Sequence, residues 1–255
     1  MSQDITGATR LTRFLQAVRP RRRVPLLVVG RSHTRALALA AEAEGARDVA
    51  TIIMTNNPNE QRAWLNPLEL SAYAPGLVVS MVAGNHHNRL GLFEPEEPFD
   101  FLFDENDSVI PGRRLVRRAE IAAAMLAEIK PATAIMEKLR AAYDVPMVHV
   151  TAPPPVATGA LDQRIMNRAA RSGRDLRLSP PSLRMKLYRL QKEILAKECA
   201  ALDCTILPVP EGTLDENGFL AAPFQKGDAT HANPRYGALV LGQLRAYAAD
   251  GKANP

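Results

Sequence analysis

Cysteine is scarce in this chain: Cys199 and Cys204 are the only two in 255 residues, and they are not spaced as a CxxC pair. That excludes a disulfide framework and a cysteine-held zinc site, and leads us to expect a reducing, cytoplasmic setting. Aromatic residues make up 5% of the chain, with a single Trp, and no aromatic stacking motif or amphipathic anchor accompanies the basic segments. This argues against nucleic-acid and membrane-surface partners. No run approaches the roughly 18 apolar residues that a membrane span requires, and the opening MSQDITGATR lacks the apolar core of an export signal. Internal repeats and low-complexity tracts are also missing.

What is present is a 46% hydrophobic chain with a net charge of +5. That is enough apolar material for a large core, most economically in one α/β domain. The basicity is regional. Residues 1–23 contribute +5, and the stretch from Arg164 to Arg189 contributes +7, so subtracting both from the total leaves −7 for the remainder. The expected organisation is a basic extension over 1–23, then one domain over 24–250 with a basic insertion at about 156–182.

Short β-branched runs punctuate the chain. Val24 to Gly30, Val49 to Met54, Leu77 to Val82, Met147 to Thr151 and Thr205 to Val209 read as five strands covered on both faces. Helical patterns lie between them: Thr34 to Glu44, Arg117 to Ile129 with Pro131 breaking or restarting the helix on its way to Tyr143, and the leucines from Leu183 to Leu195 behind Pro180 and Pro181. Alternation of this kind predicts an α/β fold: a three-layer α/β/α sandwich around a mainly parallel five-stranded sheet, with its binding crevice at the carboxyl ends of the strands.

Three polar blocks fall at that rim. Gly30, Arg31, Ser32 and His33 follow the first strand, Ala83, Gly84 and Asn85 follow the third, and Asp228 and His231 follow the fifth. A serine on a strand-to-helix turn exposes its hydroxyl near the positive end of the helix. Such a nucleophile needs a base and a group to orient that base, and an Asp-x-x-His pair can provide both. Asn85 would then offer an amide to a developing oxyanion, beside the N–H of Ser32. The plain reading of Asp228 and His231 is a helix cap and its first-turn neighbour.

The three blocks, GRSHT at 30–34, AGNHHN at 83–88 and GDATHAN at 227–233, resemble in order the motifs of the SGNH (GDSL-type) hydrolases. The resemblance implies a flavodoxin-like fold and hydrolysis of an ester, often an acyl group on a carbohydrate or lipid, without a cofactor. It assigns Ser32 as nucleophile, His231 as base, Asp228 as its orienting acid, and Ser32 and Asn85 as oxyanion donors. The chain departs from the family at Arg31, where Asp is usual, at Ala83, where Gly is, and at His86, where Asp is. It also has no Gly between Gly45 and Gly76 to serve as the second-block donor, so Asn56 or Asn57 is the substitute. The alternative is a non-catalytic relative that binds an acylated or anionic ligand in the same crevice.

The remaining candidates have two readings each. His33 and His86 could line the substrate pocket, or His33 could be a surface residue at a helix start. His149 reads as a satisfied core histidine. The GNHH run is similar to a signature of metal-dependent phosphoesterases, but the other ligand motifs of those enzymes are missing, so no metal is expected. Arg164, Arg168 and Arg171 share a helical face within the basic insertion. That segment is either a solvated face or a lid whose Arg168 and Arg171 clamp an anionic substrate.

Overall fold

The structure, a computed structural model, describes residues 21–54, 70–157 and 176–253. Seven strands and five α-helices alternate along them. Strand β1 (Arg22–Gly30) leads through helix α1 (Thr34–Ala43) to β2 (Val49–Ile53), and β3 (Tyr73–Met81) leads to the short α2 (His86–Gly91). The pair β4 (Phe99–Asp100) and β5 (Arg114–Leu115) precedes α3 (Arg118–Ala142), β6 (Met147–Val150), α4 (Pro181–Ala200), β7 (Cys204–Leu207) and α5 (Pro234–Ala253).

The main sheet has the order β2-β1-β3-β6-β7, and every pairing in it is parallel. This is the expected five-stranded sheet. The chain starts at β1, moves outward to β2 and then crosses back to β3, so the strand order reverses beside β1. A crevice opens at such a reversal because the connecting helices leave on opposite faces. Alternation along β1 builds the layers. Leu27 and Val29 join the core under α3 and α4, while Leu26 and Val28 join the core under α1 and α5. Glycine permits the closest contact of the second layer, since a Cβ on Gly237 would sit 2.2 Å from the Ala36 carbonyl oxygen.

Three expectations need correction. Strand β1 starts at Arg22, because Arg22 and Arg23 continue the parallel ladder with Tyr73 and Ala74; the basic extension therefore stops short of residue 23, and residues 1–20 lie outside the described residues. Helix α3 runs straight through Pro131. Its buried face of Ile121, Met125, Ile129, Ile135, Met136 and Leu139 spans both sides of the proline. Burying each such side chain contributes about 1.5–3 kcal/mol, which outweighs the roughly 3 kcal/mol cost of an internal proline. The third correction concerns the basic stretch, which is not a uniformly solvated face. Arg184 and Lys186 are buried at 2% and 5% exposure. Arg184 donates to the carbonyls of Ser179, Val156 and Ala157, tying together the chain on both sides of residues 158–175. Lys186 donates to both carboxylate oxygens of Asp100 and to the carbonyls of Phe101 and Ser108. These cations satisfy backbone groups that burial has removed from water.

Candidate active site

The turn after β1 is held tightly against β3. A Cβ on Gly30 would lie 2.1 Å from Thr34 Oγ1 and 2.7 Å from the Met81 carbonyl oxygen, so only glycine lets the chain turn here. Arg31 N–H donates to Met81 O (3.3 Å), and Thr34 N–H donates to Arg31 O (3.0 Å). Ser32 is exposed at the apex, and its own N–H has no hydrogen-bond acceptor among the described residues.

A second loop reaches it from 199 residues away. Phe224 to Asn233 folds back on itself, with Lys226 N–H donating to His231 O (3.0 Å) and Asn233 N–H to Phe224 O (2.8 Å). Gly227 takes the bend at φ +92°. Asn233, not Asp228, caps α5: its Oδ1 accepts from the N–H groups of Arg235 (3.0 Å) and Tyr236 (3.3 Å). Asp228 lies further upstream and closes its own turn, with Oδ1 accepting from Thr230 N–H (2.9 Å) and His231 N–H (2.7 Å). The cap reading of Asp228 therefore does not hold.

That turn leaves the imidazole between a carboxylate and a hydroxyl. His231 Nδ1 lies 3.0 Å from Asp228 Oδ2, and Nε2 lies 3.1 Å from Ser32 Oγ. With the Nδ1 proton donated to Asp228, the Nε2 lone pair accepts from Ser32 O–H. Burial pushes the Asp228 pKa up, but hydrogen bonds from the His231 ring and Thr230 N–H outweigh it and hold the carboxyl well below its usual range. Asp228 is thus a fixed anion. The supporting Thr230 hydroxyl, which donates to Asp228 Oδ1 (3.2 Å), is one contact the sequence did not single out.

The third block supplies an amide. Asn85 Oδ1 accepts from His33 Nε2 at 2.6 Å, which leaves Asn85 Nδ2 without a partner among the described residues, at the wall of a cavity shared with Ser32. His33 is buried, and burial together with the nearby His231 lowers its pKa to about 3, so it stays neutral. His33 is therefore not a surface histidine: it lines the cavity with Ser32, and its ring bonds Asn85. Behind the loop, buried Gln191 on α4 accepts from His87 N–H (2.7 Å) and His87 Nδ1 (2.9 Å), and donates to Gly84 O (2.8 Å). Nothing in the leucine-rich pattern around Gln191 marks it out, because its partners lie 104 and 107 residues away.

The cavity has a volume of about 480 Å³ and is lined by Arg31, Ser32, Asn85, His86 and Arg89. The ring nitrogens of His86 have no partner among the described residues, and burial followed by Arg89 lowers its pKa to about 4. His149 is only half satisfied: Nδ1 meets Ser80 Oγ at 3.2 Å, and Nε2 has no partner among the described residues. No cluster of three His, Cys, Asp or Glu suited to a metal occurs among the described residues. Likewise, no helix among them is long and apolar enough to cross a membrane. Asn56, Asn57, Arg168 and Arg171 lie outside the described residues.

No family model and no curated protein sequence matches the chain. Solved structures do. A protein from Streptococcus pneumonia, provisionally named a platelet activating factor, aligns over 95% of this chain and 92% of its own at 12% identity, with a TM-score of 0.52. The two share a fold, a parallel five-stranded sheet between layers of helices. Two other structures similar to this chain are a GDSL-like lipase from Bacteroides thetaiotaomicron (12% identity, 93% and 97% covered, TM-score 0.44) and phospholipase A1 from Streptomyces albidoflavus (11% identity, 88% and 99% covered, TM-score 0.43). In this fold, the three polar blocks of the chain occupy the loops after β1, after β3 and before α5.

Proposed function

We propose that the protein is a serine esterase of the SGNH type that hydrolyses a small acyl ester through an acyl-enzyme. One observation carries this reading: a hydroxyl, an imidazole and a carboxylate from distant segments stand in sequence at 3.1 Å and 3.0 Å. A structural role needs only the Asp228 to His231 half of that chain. The contact with an exposed serine adds nothing to the core, yet it suits a nucleophile and its base.

In the reaction, Ser32 Oγ attacks the ester carbonyl carbon as its proton passes to His231 Nε2. Asp228 stabilises the resulting imidazolium. The oxyanion is held by Ser32 N–H and Asn85 Nδ2, neither of which has a partner among the described residues. Collapse breaks the bond to the leaving oxygen, which takes the proton from His231 and departs as the alcohol. Water then gives a proton to His231 and attacks the acyl carbon; the bond to Ser32 Oγ breaks, Oγ takes that proton back from His231 Nε2, and the acid leaves.

A fluorophosphonate probe followed by peptide mass spectrometry tests the assignment. The expected adduct lies on Ser32 and disappears in Ser32→Ala; labelling that survives the substitution removes Ser32 from its role. A folded protein that neither labels nor cleaves p-nitrophenyl acetate would favour the non-catalytic binding alternative. The oxyanion assignment has its own test. Asn85→Ala should lower kcat about 10²–10³-fold with KM little moved, because the donor acts on charge that develops only in the transition state. An equal rise in KM with kcat intact would assign Asn85 to ground-state binding instead.

A further inference from the structure

We propose that the substrate's alcohol portion carries an anion, a carboxylate or phosphate, held by Arg35 and Lys226 with Arg31 beside them. This inference rests on the esterase reading and names its substrate class. It begins from two grooves that meet at Ser32. One is the 480 Å³ cavity, which reaches Asn85 and does not touch His231. The other, about 410 Å³, is lined by Ser32, His231, Arg31, Arg35 and Lys226 over the apolar side chains of Ile53 and Met54.

Chemistry assigns the two grooves different parts of the ester. The leaving oxygen must take its proton from His231 Nε2, so the alcohol lies on the His231 side of Ser32, in the second groove. The acyl group and its oxyanion then face Asn85, in the first. Charge separates the grooves too. The first contains Glu128 as well as Arg31 and Arg89, and Glu128 pairs with Arg89 at 2.9 Å. Among the described residues, the second is lined by three cations and no carboxylate.

Those cations come from three places: the turn after β1, the first turn of α1, and the loop before His231. Arg35 and Lys226 are both exposed, and neither forms an ion pair with a described residue. Placing Arg35 and Lys226 in one groove, with no carboxylate among the described residues that line it, is unfavourable without a counter-ion, and low-dielectric walls strengthen their common field. An anionic leaving group would relieve that repulsion. Arg31, positioned where the family has an acid, adds to the same field and would repel a cationic alcohol.

Three acetate esters test this: methyl 4-acetoxybenzoate (neutral), 4-acetoxybenzoate and 4-acetoxyphenyl phosphate. The measured quantity is the ratio of kcat/KM for each anionic ester to that for the neutral one, in wild type and in Arg35→Gln/Lys226→Gln. The ratio is expected to fall about tenfold in the double variant, and to fall in wild type as salt rises from 20 to 500 mM. Loss of the phosphate ratio alone, or of the carboxylate ratio alone, would identify which anion the groove prefers. Ser32-dependent turnover of the neutral ester with both ratios unmoved would overturn the anion site and leave the esterase reading standing. Absence of Ser32-dependent turnover of all three esters would overturn both.

Discussion

Ser32→Ala is expected to lower kcat for a short p-nitrophenyl ester by about 10⁴–10⁶-fold, and combining it with Asp228→Asn should cost little more. The two groups act through one imidazole, so once the nucleophile is gone the base has nothing to deprotonate. Asp228→Asn alone should lower kcat by about 10⁴-fold. Asn at 228 keeps an oxygen for the N–H groups of Thr230 and His231, so the turn survives. Its amide, however, can donate to His231 Nδ1. That shifts the ring proton to Nε2 and removes the lone pair that accepts from Ser32. Measured kcat for both single variants and the double variant checks the coupling. Multiplicative losses would show that Ser32 and Asp228 act independently, and an Ser32→Ala enzyme with a tenth of wild-type activity would end the assignment.

Acid should unfold the protein in a window set by its histidines. Of the five in the chain, burial lowers the pKa of His33 to about 3 and those of His86, His87 and His149 to about 4. An unfolded histidine titrates at about 6.5. Between that value and about 4, the unfolded chain binds protons that the native fold refuses, so stability is intact above pH 6.5 and falls as the pH drops. Each wholly buried ring contributes about 1.4 kcal/mol per pH unit, so His33, His87 and His149 together give roughly 4 kcal/mol per unit. A domain with a stability of about 5–10 kcal/mol, in the lower part of the typical range, would exhaust it within about one to two and a half units. Asp48 and Asp228, whose pKa values are also lowered, lose their contribution only further into acid, below the ordinary aspartate value of about 3.9. Thermal melts by circular dichroism from pH 8 to pH 4 should show Tm level above about 7 and steeply falling below 6.5. His149→Leu, which removes one such proton, should make the fall shallower. A Tm that stays level down to pH 4.5 would contradict the burial of these rings as neutral species.

The sheet was legible because its signal is local. Runs such as VPLLVVG and LVVSMV are apolar on both sides of the strand, and that composition suits only a strand covered by two layers. Helix α4 follows from 3.6-residue spacing behind a proline at the first helical position, and α1 from its Ala- and Leu-rich composition. The sequence also supplied the three polar blocks, since a parallel sheet places every loop that follows a strand on the same rim. Pro131 was misleading as a helix breaker: its cost is local and readable, but the burial that offsets it comes from strands and helices elsewhere in the chain.

Other features had no local signature. His33 next to Ser32 gives no hint that it bonds Asn85, 52 residues away. Gln191 looks like any polar residue on a helix until its loop partners arrive, and Arg184 and Lys186 look like surface charges until carbonyls and Asp100 surround them. The amino-acid order by itself determined the layers, the parallel sheet and which loops face the crevice, because periodicity and turn chemistry act over a few residues. Only the tertiary structure decided which side chains meet in that crevice and which cations gather beside His231. Hydrogen bonds and Coulomb forces depend on distances in space, and those are set when remote segments are packed together.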